Sequence, residues 1–562
     1  MIFQSLVSLY DRLQDEMPPF GFSVEEIGFV ITLDTRGNMV GQPEDLRVKI
    51  KANTYDFRQS VVPYTNQVNV RSGKGAAKKP NFMVDKADYV FGMSGKTKKT
   101  VHHDSFMGRI NKVCGESKDQ GAVAVRSFLG RWQPEDSLEL RDWKEMSGMY
   151  GKWIAFRLQG DAGFVHERPA VKKLWTEYLA RKKYAEGVSF LDGLTQPLQS
   201  QYAQFKFGSG ASLVSFNEVA YESYRKKKGA NAPISVEAEF KSSTALKYLL
   251  RSRTQRIRIG DATTVFWAQR ASPMETFFGQ VLNPTQDDQV AGQRVQKFLE
   301  AVRAGTMPHD IERDRDINFY ILGLALNKAR LALRFWHVCS VEILLTRFRD
   351  HFTNLEMERS EKDIEFPGIW HLLKETARET KDISPVLGGT LTRSILTGER
   401  YPQNLFHGVI GRIRADQRIN YLRASILKAV LQRNYTKEVP MSLNTERRET
   451  AYLLGRLFAV LEKAQLDALG KVNATIKDRY FSSASATPAS VFPRLIRLSQ
   501  HHIEKAEYGY VSDRRIAEIM EHVDNFPNHM NLQDQGLFAI AYYQQKNALY
   551  RKNDNSSKGE EK

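Results

Sequence analysis

The hydrophobic pattern changes partway along the chain, and this change constrains the fold more than any other feature. In roughly the first 270 residues, short apolar runs rich in β-favouring residues alternate with helical stretches such as 170–184. The runs lie at 24–34, 60–64, 152–158 and 257–268. From about Ser384 onward, apolar residues recur almost entirely at helical spacing. The chain is therefore predicted to be an α+β protein, with an N-terminal mixed α/β body containing antiparallel strands and a C-terminal α-helical bundle.

The helical half divides into several predicted elements. Residues 445–469 place an apolar stripe on one helix face, and Ser442 or Asn444 could cap that helix. The stripe consists of Leu454, Leu457, Phe458, Leu461, Ala464 and Ala468. Further helices are predicted at 490–508, 512–522 and 533–551, with turns at 482–488 and 525–531. We place the domain boundary so that 1–380 is the N-terminal body and 381–562 the helical domain.

The region around residue 320 is harder to assign. Segment 318–348 begins with a strand-like pattern and continues with helical spacing. Phe266, Trp267 and Trp336 lie within apolar runs, so we predict core positions for them and no role in stacking on nucleic acid.

The charge indicates what kind of partner the chain binds. Its 562 residues carry a formal net charge of +17, which favours a phosphate backbone, an acidic protein or an anionic membrane surface. No run of about 18 apolar residues is present, so no membrane partner is predicted. The N-terminus lacks a signal-peptide pattern. Cys114 and Cys339 are the two cysteines, which fits a reducing cytoplasm and excludes a disulfide framework.

One segment invites comparison with a nucleotide-binding loop. Residues 92–97 read GMSGKT, whereas the phosphate-binding P-loop needs a further glycine at position 90. Val90 stands there, and without the spaced glycines the backbone amides cannot curl around a triphosphate. We therefore predict no nucleotide cofactor.

Two further clusters could suggest a metal site. The acidic residues of 310–316 could hold Mg²⁺, but Arg313 and Arg315 alternate with them, which favours a solvated turn. The histidine pairs at 102–103 and 501–502 are adjacent, and adjacent side chains point in different directions and rarely bind one metal. The sequence therefore predicts no metal, no catalytic residue and no enzymatic activity.

The most distinctive basic stretch is a Gly-rich loop within 71–82. Its candidate DNA-contacting residues are Arg71, Ser72, Gly73, Lys74, Lys78, Lys79 and Asn81. Glycines let the backbone approach a ligand closely, and lysine, arginine, serine and asparagine side chains can enter a DNA groove. The alternative interpretations are a solvated basic loop and, for Asn81, capping of a turn after Pro80.

Basic residues are also concentrated elsewhere. The candidate tracks for a DNA strand or a partner subunit are Arg251, Arg253, Arg256 and Arg258 in one region and Arg412 and Arg414 in another. Alternation along a strand would place Arg256 and Arg258 on one face. The run 225–228 (RKKK) is predicted to be a solvated loop, although it is well placed to hold phosphate. Each patch taken alone could equally be a solvated surface, but several together indicate a long track whose binding would be steeply salt-dependent.

Several separated blocks, in order along the chain, carry a family resemblance. They are VPY (62–64), RSG (71–73) and KPNF (79–82); DYVFG (88–92); FL (128–129) with Trp132; FN (216–217) and NAPIS (231–235); IGDAT (259–263) and FWA (266–268); LGL (322–324), Asn327, Arg330 and RFW (334–336); YP (401–402) and RIR (412–414); and DQGLF (534–538) with YY (542–543). With these blocks the chain resembles the large subunit of type I-C CRISPR Cascade, an RNA-guided surveillance complex.

The resemblance implies a function. Members of this family contact the guide RNA complex, its handle-binding subunit, the backbone subunits and the small subunit. They recognise the protospacer-adjacent motif (PAM) in double-stranded target DNA, help to open the duplex, hold the displaced strand and dock a helicase-nuclease. Base pairing then reads the sequence, while the protein reads a short motif and backbone shape. The resemblance implies the same fold as the periodicity, and it makes 71–82 the expected PAM-probing loop.

The family also produces its small subunit from an internal start. Met441 follows Val439 and Pro440 and precedes a cappable helix, so the segment 441–562 is a candidate for that product. The alternative is an ordinary methionine in an interdomain turn. Two rival functions also remain open: a scaffold whose basic patches meet only partner proteins, and a metal-dependent nuclease that uses the acids of 310–316.

Overall fold

A computed structural model describes most of the chain. The described residues are 1–51, 54–64, 77, 79–148, 153–205, 211–216, 218–282, 289–327, 330–470 and 472–551. The chain divides into two compact units. The first contains Met1–Arg251 with Leu326–Ala332, and the second contains Ser252–Ala325 with Leu333–Lys562.

The first unit combines short strands with helices. Its strands are β1 (Phe22–Leu33), β2 (Glu44–Asp45), β3 (Val48–Lys51), β4 (Thr54–Asp56), β5 (Arg58–Pro63), β6 (Met93–Ser94), β7 (Thr97–Lys98), β8 (Trp153–Leu158), β9 (Ala185–Val188), β10 (Thr195–Leu198), β11 (Gln204–Phe205) and β12 (Ala211–Ser212). Its helices are α1 (Ile2–Arg12), α2 (Ala87–Val90), α3 (Thr100–Cys114), α4 (Gln120–Arg131), α5 (Trp143–Ser147), α6 (Pro169–Ala180) and α7 (Val236–Arg251).

Strand β1 organises the main sheet of this unit. It pairs antiparallel with β5 and β2 and parallel with β8. Its residues Phe29, Val30 and Ile31 are all completely buried because both faces of the strand are covered. The predicted runs at 24–34, 60–64 and 152–158 thus all become strands of one sheet, which is mixed and not purely antiparallel.

The second unit begins with an antiparallel sheet and continues with helices. Its strands follow the order β16 (Arg330–Ser340), β15 (Asn318–Asn327), β14 (Ala262–Ala268) and β13 (Arg256–Ile259), and the tip of the β15–β16 hairpin is grouped with the first unit. Its helices are α8 (Met274–Leu282), α9 (Gln289–Ala304), α10 (Val341–Leu355), α11 (Ile369–Lys374), α12 (Pro385–Thr397), α13 (Gln403–Asp416), α14 (Tyr421–Tyr435), α15 (Thr450–Leu469), α16 (Ile476–Ala486), α17 (Pro488–Lys505), α18 (Gly509–Met520) and α19 (Leu532–Tyr550).

Helices α15 and α19 form the centre of the C-terminal bundle. Phe458 of α15 lies 5.8 Å from Phe538 of α19 and 5.7 Å from Phe481 of α16, measured between ring centroids. The two central helices approach closely at Gly455, where an added Cβ would lie 2.3 Å from the carbonyl oxygen of Phe538. The α+β class and the helical C-terminal region are therefore confirmed.

The structural division falls at residues 251 and 252, well before the predicted boundary at 380 and 381. The reason is that one face of the sheet belongs to the same apolar core as the helices. Ile259, Phe266 and Phe319 of the sheet share a buried cluster with residues of α10 and α12 to α19. A strand pattern shows that one face is buried but does not show which helices cover it.

Three local predictions differ from the structure. Helix α15 begins only at Thr450 with Glu449 at its N-cap, so neither Ser442 nor Asn444 caps it. Residues 482–486 continue α16, although a serine-rich turn was expected there. Within this helix the serine hydroxyls are satisfied by backbone carbonyls, as Ser483 donates to Tyr480 at 3.1 Å, and the buried side chains of Phe481 and Ala484 pack in the bundle. In the ambiguous segment, β16 extends to Ser340 before α10 begins.

The predicted core aromatics lie at different depths. Phe266 and Trp267 are fully buried, as expected, while Trp336 is only partly buried. Within the described ranges, no helix combines the length and apolar character needed to span a bilayer.

Candidate nucleic-acid interface

The Gly-rich basic loop leaves the core of the first unit at Tyr64, the last described residue before it. The amide of Tyr64 donates to the carbonyl oxygen of Gly21 at 2.8 Å, and the indole Nε1 of Trp175 donates to the same oxygen at 2.7 Å. Gly21 has φ +83°, and a Cβ there would lie 2.2 Å from the side chain of Leu179. Only glycine therefore fits the position that joins the loop root to Trp175.

The described chain resumes beside the same tryptophan. Phe82 stacks on Trp175 with ring centroids 5.1 Å apart and an angle of 8°. Just before this contact, the carbonyl of Ala77 accepts a hydrogen bond of 2.5 Å from the hydroxyl of Ser105 in α3. Trp175, which is completely buried, thus connects to both ends of the loop: Phe82 stacks on its ring, and Tyr64 shares the carbonyl oxygen of Gly21 with its indole.

Cations and a second aromatic ring continue this stack. Tyr178, one turn after Trp175 in α6, stacks on it at 5.5 Å. The guanidinium of Arg109 and the ammonium of Lys112 lie 5.4 and 5.7 Å from the centre of the Tyr178 ring. Lys247 lies 4.3 Å from the ring centre of Tyr64. Positive charge therefore surrounds the root of the loop, held in place by cation–π contacts.

The residues predicted to probe DNA fall into two groups. Arg71, Ser72, Gly73, Lys74 and Lys78 lie outside the described residues. Lys79 is half-buried at the returning end of the loop.

Asn81 occupies a different position from the one expected of a base-contacting residue. It is only 1% exposed, and its backbone amide donates to Asp85 at 2.7 Å. Among the described residues, its side-chain amide has no hydrogen-bond partner, which is costly for a buried polar group. In this conformation the Asn81 amide does not face solvent, which disfavours a base-edge contact by Asn81.

The aromatic and cationic residues at the root carry only a weak signal in the sequence. Trp175 and Tyr178 are three residues apart on one helix, and Arg109 and Lys112 are three apart on another. Such spacing places each pair on one helix face. The pairs are far apart along the chain, so only the tertiary fold shows that they meet.

The predicted arginine track is divided between the two units. Arg256 and Arg258 are exposed on the same face of β13, as strand alternation predicts, and they pair in register with Val265 and Thr263. Arg253 is exposed just before this strand.

Arg251 differs from the other three arginines. It ends α7 in the first unit, where its guanidinium lies 3.8 Å from the buried carboxylate of Glu25. The four arginines therefore do not lie on a single element.

The arginines of the helical half already have partners within the protein. Arg412 forms an ion pair with Asp416 one turn along α13, and Arg414 donates to the side chain of Gln535. Lys428 is buried and donates to the carbonyls of Thr353 and Asn354 at 3.2 and 3.1 Å. Burial lowers the pKa of Lys428 to about 8. Arg412 and Arg414 each keep further N–H donors, and Arg414 is exposed, so their assignment to a nucleic-acid track stays a prediction.

The segment that resembles a P-loop is a β-hairpin. Strands β6 and β7 pair through Met93 and Lys98, and Gly95 occupies the turn with φ +57°. The neighbouring His103 is buried, and its Nδ1 lies 3.0 Å from the carbonyl oxygen of Val90. The segment therefore does not form the phosphate cradle of a P-loop.

Two of the acidic residues of 310–316 are paired with arginines. Asp310 lies 2.8 Å from Arg294, and Asp314 lies 3.5 Å from Arg270. Across the described part of the chain, no group of three or more histidine, cysteine, aspartate or glutamate side chains is arranged to hold a metal.

A buried serine, a buried histidine and a partly buried glutamate meet in the first unit. The hydroxyl of Ser60 lies 3.0 Å from Nε2 of His166 and donates to Glu167 at 2.7 Å. Burial lowers the pKa of His166 to about 4. Because the hydroxyl proton is directed to Glu167, His166 is not placed as a base for Ser60, and the group is a structural network.

Comparison with known proteins identifies the family. The family model described as CRISPR-associated protein (Cas_Csd1) matches residues 6–550. A search of curated proteins finds no match. The family match spans nearly the whole chain, across both structural units, and agrees with the resemblance to the type I-C large subunit. This protein therefore belongs to the Csd1 family of CRISPR-associated proteins and is a subunit of a CRISPR Cascade complex.

Proposed function

We propose that this chain is the non-catalytic large subunit of a type I-C Cascade and that it recognises the PAM in double-stranded DNA through its Gly-rich basic loop. This loop contains most of the predicted 71–82 segment and is called the 65–78 loop below. The observation that supports this best is the construction of the loop root. A Gly-rich basic loop leaves Tyr64 and returns at Phe82, and Trp175 connects to both ends. A fixed root limits the conformations available to the loop, which lowers the entropy cost of binding.

Different loop residues would have different roles. Lys74 and Lys78, together with Arg71, supply charge to the phosphate backbone, and Ser72 supplies the base-edge contact. Gly73 lets the backbone approach the groove closely. Arg109 and Lys112 at the root add positive charge beside the duplex. Opening of the duplex is nearly balanced in energy, so cationic contacts to the displaced strand can favour the open state.

A test of this proposal compares Lys74→Ala with wild type on duplexes that carry a correct or an incorrect PAM. Loss of a phosphate contact weakens binding to both duplexes alike. Loss of a base contact costs about 1–3 kcal/mol and relaxes preference at one position. Lys173→Ala, an exposed lysine on α6, is the matched control. Wild-type affinity of all the loop variants for both duplexes would refute the proposal.

Crosslinking distinguishes DNA reading from a scaffold role. A photoreactive residue at position 74 in the assembled complex is expected to crosslink to target DNA. If it crosslinks only to partner subunits, the scaffold alternative is favoured. Cleavage of DNA by the purified chain in Mg²⁺ would instead favour the nuclease alternative.

We also propose that Met441 is an internal start that produces the segment 441–562 as a small subunit. Met441 is exposed, and the helices after it pack their aromatic rings on one another, as Phe458 does on Phe481 and Phe538. Met441→Leu is expected to remove a short co-purifying band of this segment while the full chain remains. A band that persists in the variant would show that Met441 is not used as a start.

A further inference from the structure

A tight turn at 223–226 in the first unit has an unexpected sequence. The amide of Lys226 donates to the carbonyl of Ser223 at 2.9 Å, and the two central residues, Tyr224 and Arg225, have φ of +51° and +61°. Positive φ at both central positions is the pattern of a type I′ turn, which strongly prefers Asn-Gly. Tyrosine and arginine are poorly suited to this conformation, so the turn is strained.

Asn231 holds the strained turn in place. Its side-chain oxygen accepts from the amide of Ser223 at 2.9 Å. Its side-chain nitrogen donates to the carbonyls of Lys226 and Lys228 at 2.8 and 3.1 Å. Lys228 also has a positive φ of +50°. One side chain therefore links both ends of the turn and fixes a conformation that the local sequence disfavours.

The strain places an aromatic ring and four cations in solvent. Tyr224 is 93% exposed, which is unusual for so large a ring. Arg225 and the three lysines of 226–228 are all exposed. Segment 218–231 carries these four cations against two carboxylates, Glu218 and Glu222. Strain that is maintained by surrounding contacts commonly marks a functional position, and packing does not explain it here.

We propose that the turn 223–228 binds a single-stranded stretch of nucleic acid. Tyr224 stacks on an unstacked base, while Arg225 and the lysines of 226–228 contact the flanking phosphates. An exposed aromatic ring beside a cationic groove is the usual means of binding single strands without sequence preference. Duplex bases are already stacked on one another, so duplex DNA offers the ring no base face. The inference depends on the proposed nucleic-acid role but not on PAM reading by the 65–78 loop.

The test measures binding of the full chain to single-stranded DNA, single-stranded RNA and duplex DNA of equal length. Tyr224→Ala is expected to weaken single-strand binding about tenfold and to leave duplex binding unchanged. The paired change Lys226→Gln and Lys227→Gln is expected to lower the salt slope by about 0.7 per lost phosphate contact. The DNA and RNA arms show whether the strand is target DNA or guide RNA.

Two further variants separate shape from charge. Asn231→Ala keeps every cation and Tyr224 but removes the contacts that hold the turn, so single-strand affinity is expected to fall several-fold. Lys172→Gln with Lys173→Gln, which removes the same charge from an exposed helix face, is expected to have a smaller effect.

Wild-type single-strand affinity in Tyr224→Ala, or an equal loss on duplex DNA, would overturn the inference. Absence of single-strand binding by the wild-type chain would also overturn it. None of these three outcomes affects the PAM experiment, which uses duplexes and variants of the 65–78 loop.

Discussion

Trp175→Ala is expected to destabilise the first unit by about 3–5 kcal/mol, the usual cost of removing a fully buried large aromatic side chain. The substitution removes the ring between Phe82 and Tyr178 and the hydrogen bond to Gly21. Because one root of the 65–78 loop packs on this ring through Phe82 and the other shares the Gly21 carbonyl with it through Tyr64, PAM-dependent DNA binding is expected to fall as well. Thermal unfolding together with hydrogen exchange of the α6 amides measures the stability of this unit.

Trp175→Phe is the informative companion to this variant. Phenylalanine keeps an aromatic ring between Phe82 and Tyr178 but cannot donate to the carbonyl of Gly21. The lost hydrogen bond is expected to cost about 1 kcal/mol, with a smaller loss of DNA binding than in Trp175→Ala. If Trp175→Ala unfolds at the wild-type temperature, or leaves α6 exchange unchanged, Trp175 does not hold the loop root.

Arg423→Ala is expected to destabilise the second unit by about 3–5 kcal/mol. Arg423 is 6% exposed and forms ion pairs of 2.7 Å with both Glu375 and Asp416. It also donates to the carbonyl of Arg418 at 2.8 Å. Without Arg423, the side chain of Glu375, which is only 16% exposed, loses its cation, whereas Asp416 is more exposed and keeps Arg412. The cost is therefore expected to arise mainly from the buried guanidinium and from Glu375.

The matched control for this variant is an exposed ion pair in the same unit. Arg393 lies 3.2 Å from Glu399, and both side chains are more than half exposed. Arg393→Ala is expected to cost no more than about 1 kcal/mol because water screens such pairs. The free energy of unfolding of both variants is measured by denaturant unfolding. Equal decreases for Arg423→Ala and Arg393→Ala would show that the buried ion pairs of Arg423 stabilise the fold no more than an exposed pair does.

The Arg423 network also predicts a pH dependence. Burial alone would raise the pKa of Asp416, but hydrogen bonds and charge from Arg423 and Arg412 hold it below its ordinary value. A carboxylate with a lowered pKa stabilises the folded state above its unfolded pKa, and this contribution is lost as pH falls through the folded value. The stability difference between wild type and Arg423→Ala is therefore expected to shrink in acid. An unchanged difference down to about pH 3 would contradict this.

For charged residues, the sequence shows where arginines are concentrated, but only the structure shows which of them have partners within the protein. Runs of arginine in the helical half resembled a nucleic-acid track, yet Arg412, Arg414 and Arg423 all have partners within the protein. Their partners are often distant in sequence, as Gln535 is from Arg414, so composition and spacing could not identify them. In contrast, strand alternation correctly placed Arg256 and Arg258 on one exposed face, because that geometry is local.

Local patterns were enough to predict the α+β class, the longer buried strands such as β1, β5, β8 and β14, and the helical bundle, because hydrophobic periodicity directly reports which face of an element is buried. The separated sequence blocks were enough to indicate the family. Only the tertiary structure showed that Trp175 joins both roots of the basic loop, that Asn81 is buried, and that Asn231 holds Tyr224 in a strained turn. These three findings depend on contacts outside the residue's own helix or strand, or on the backbone conformation that such contacts impose. The spacing of residues along the chain contains neither kind of information.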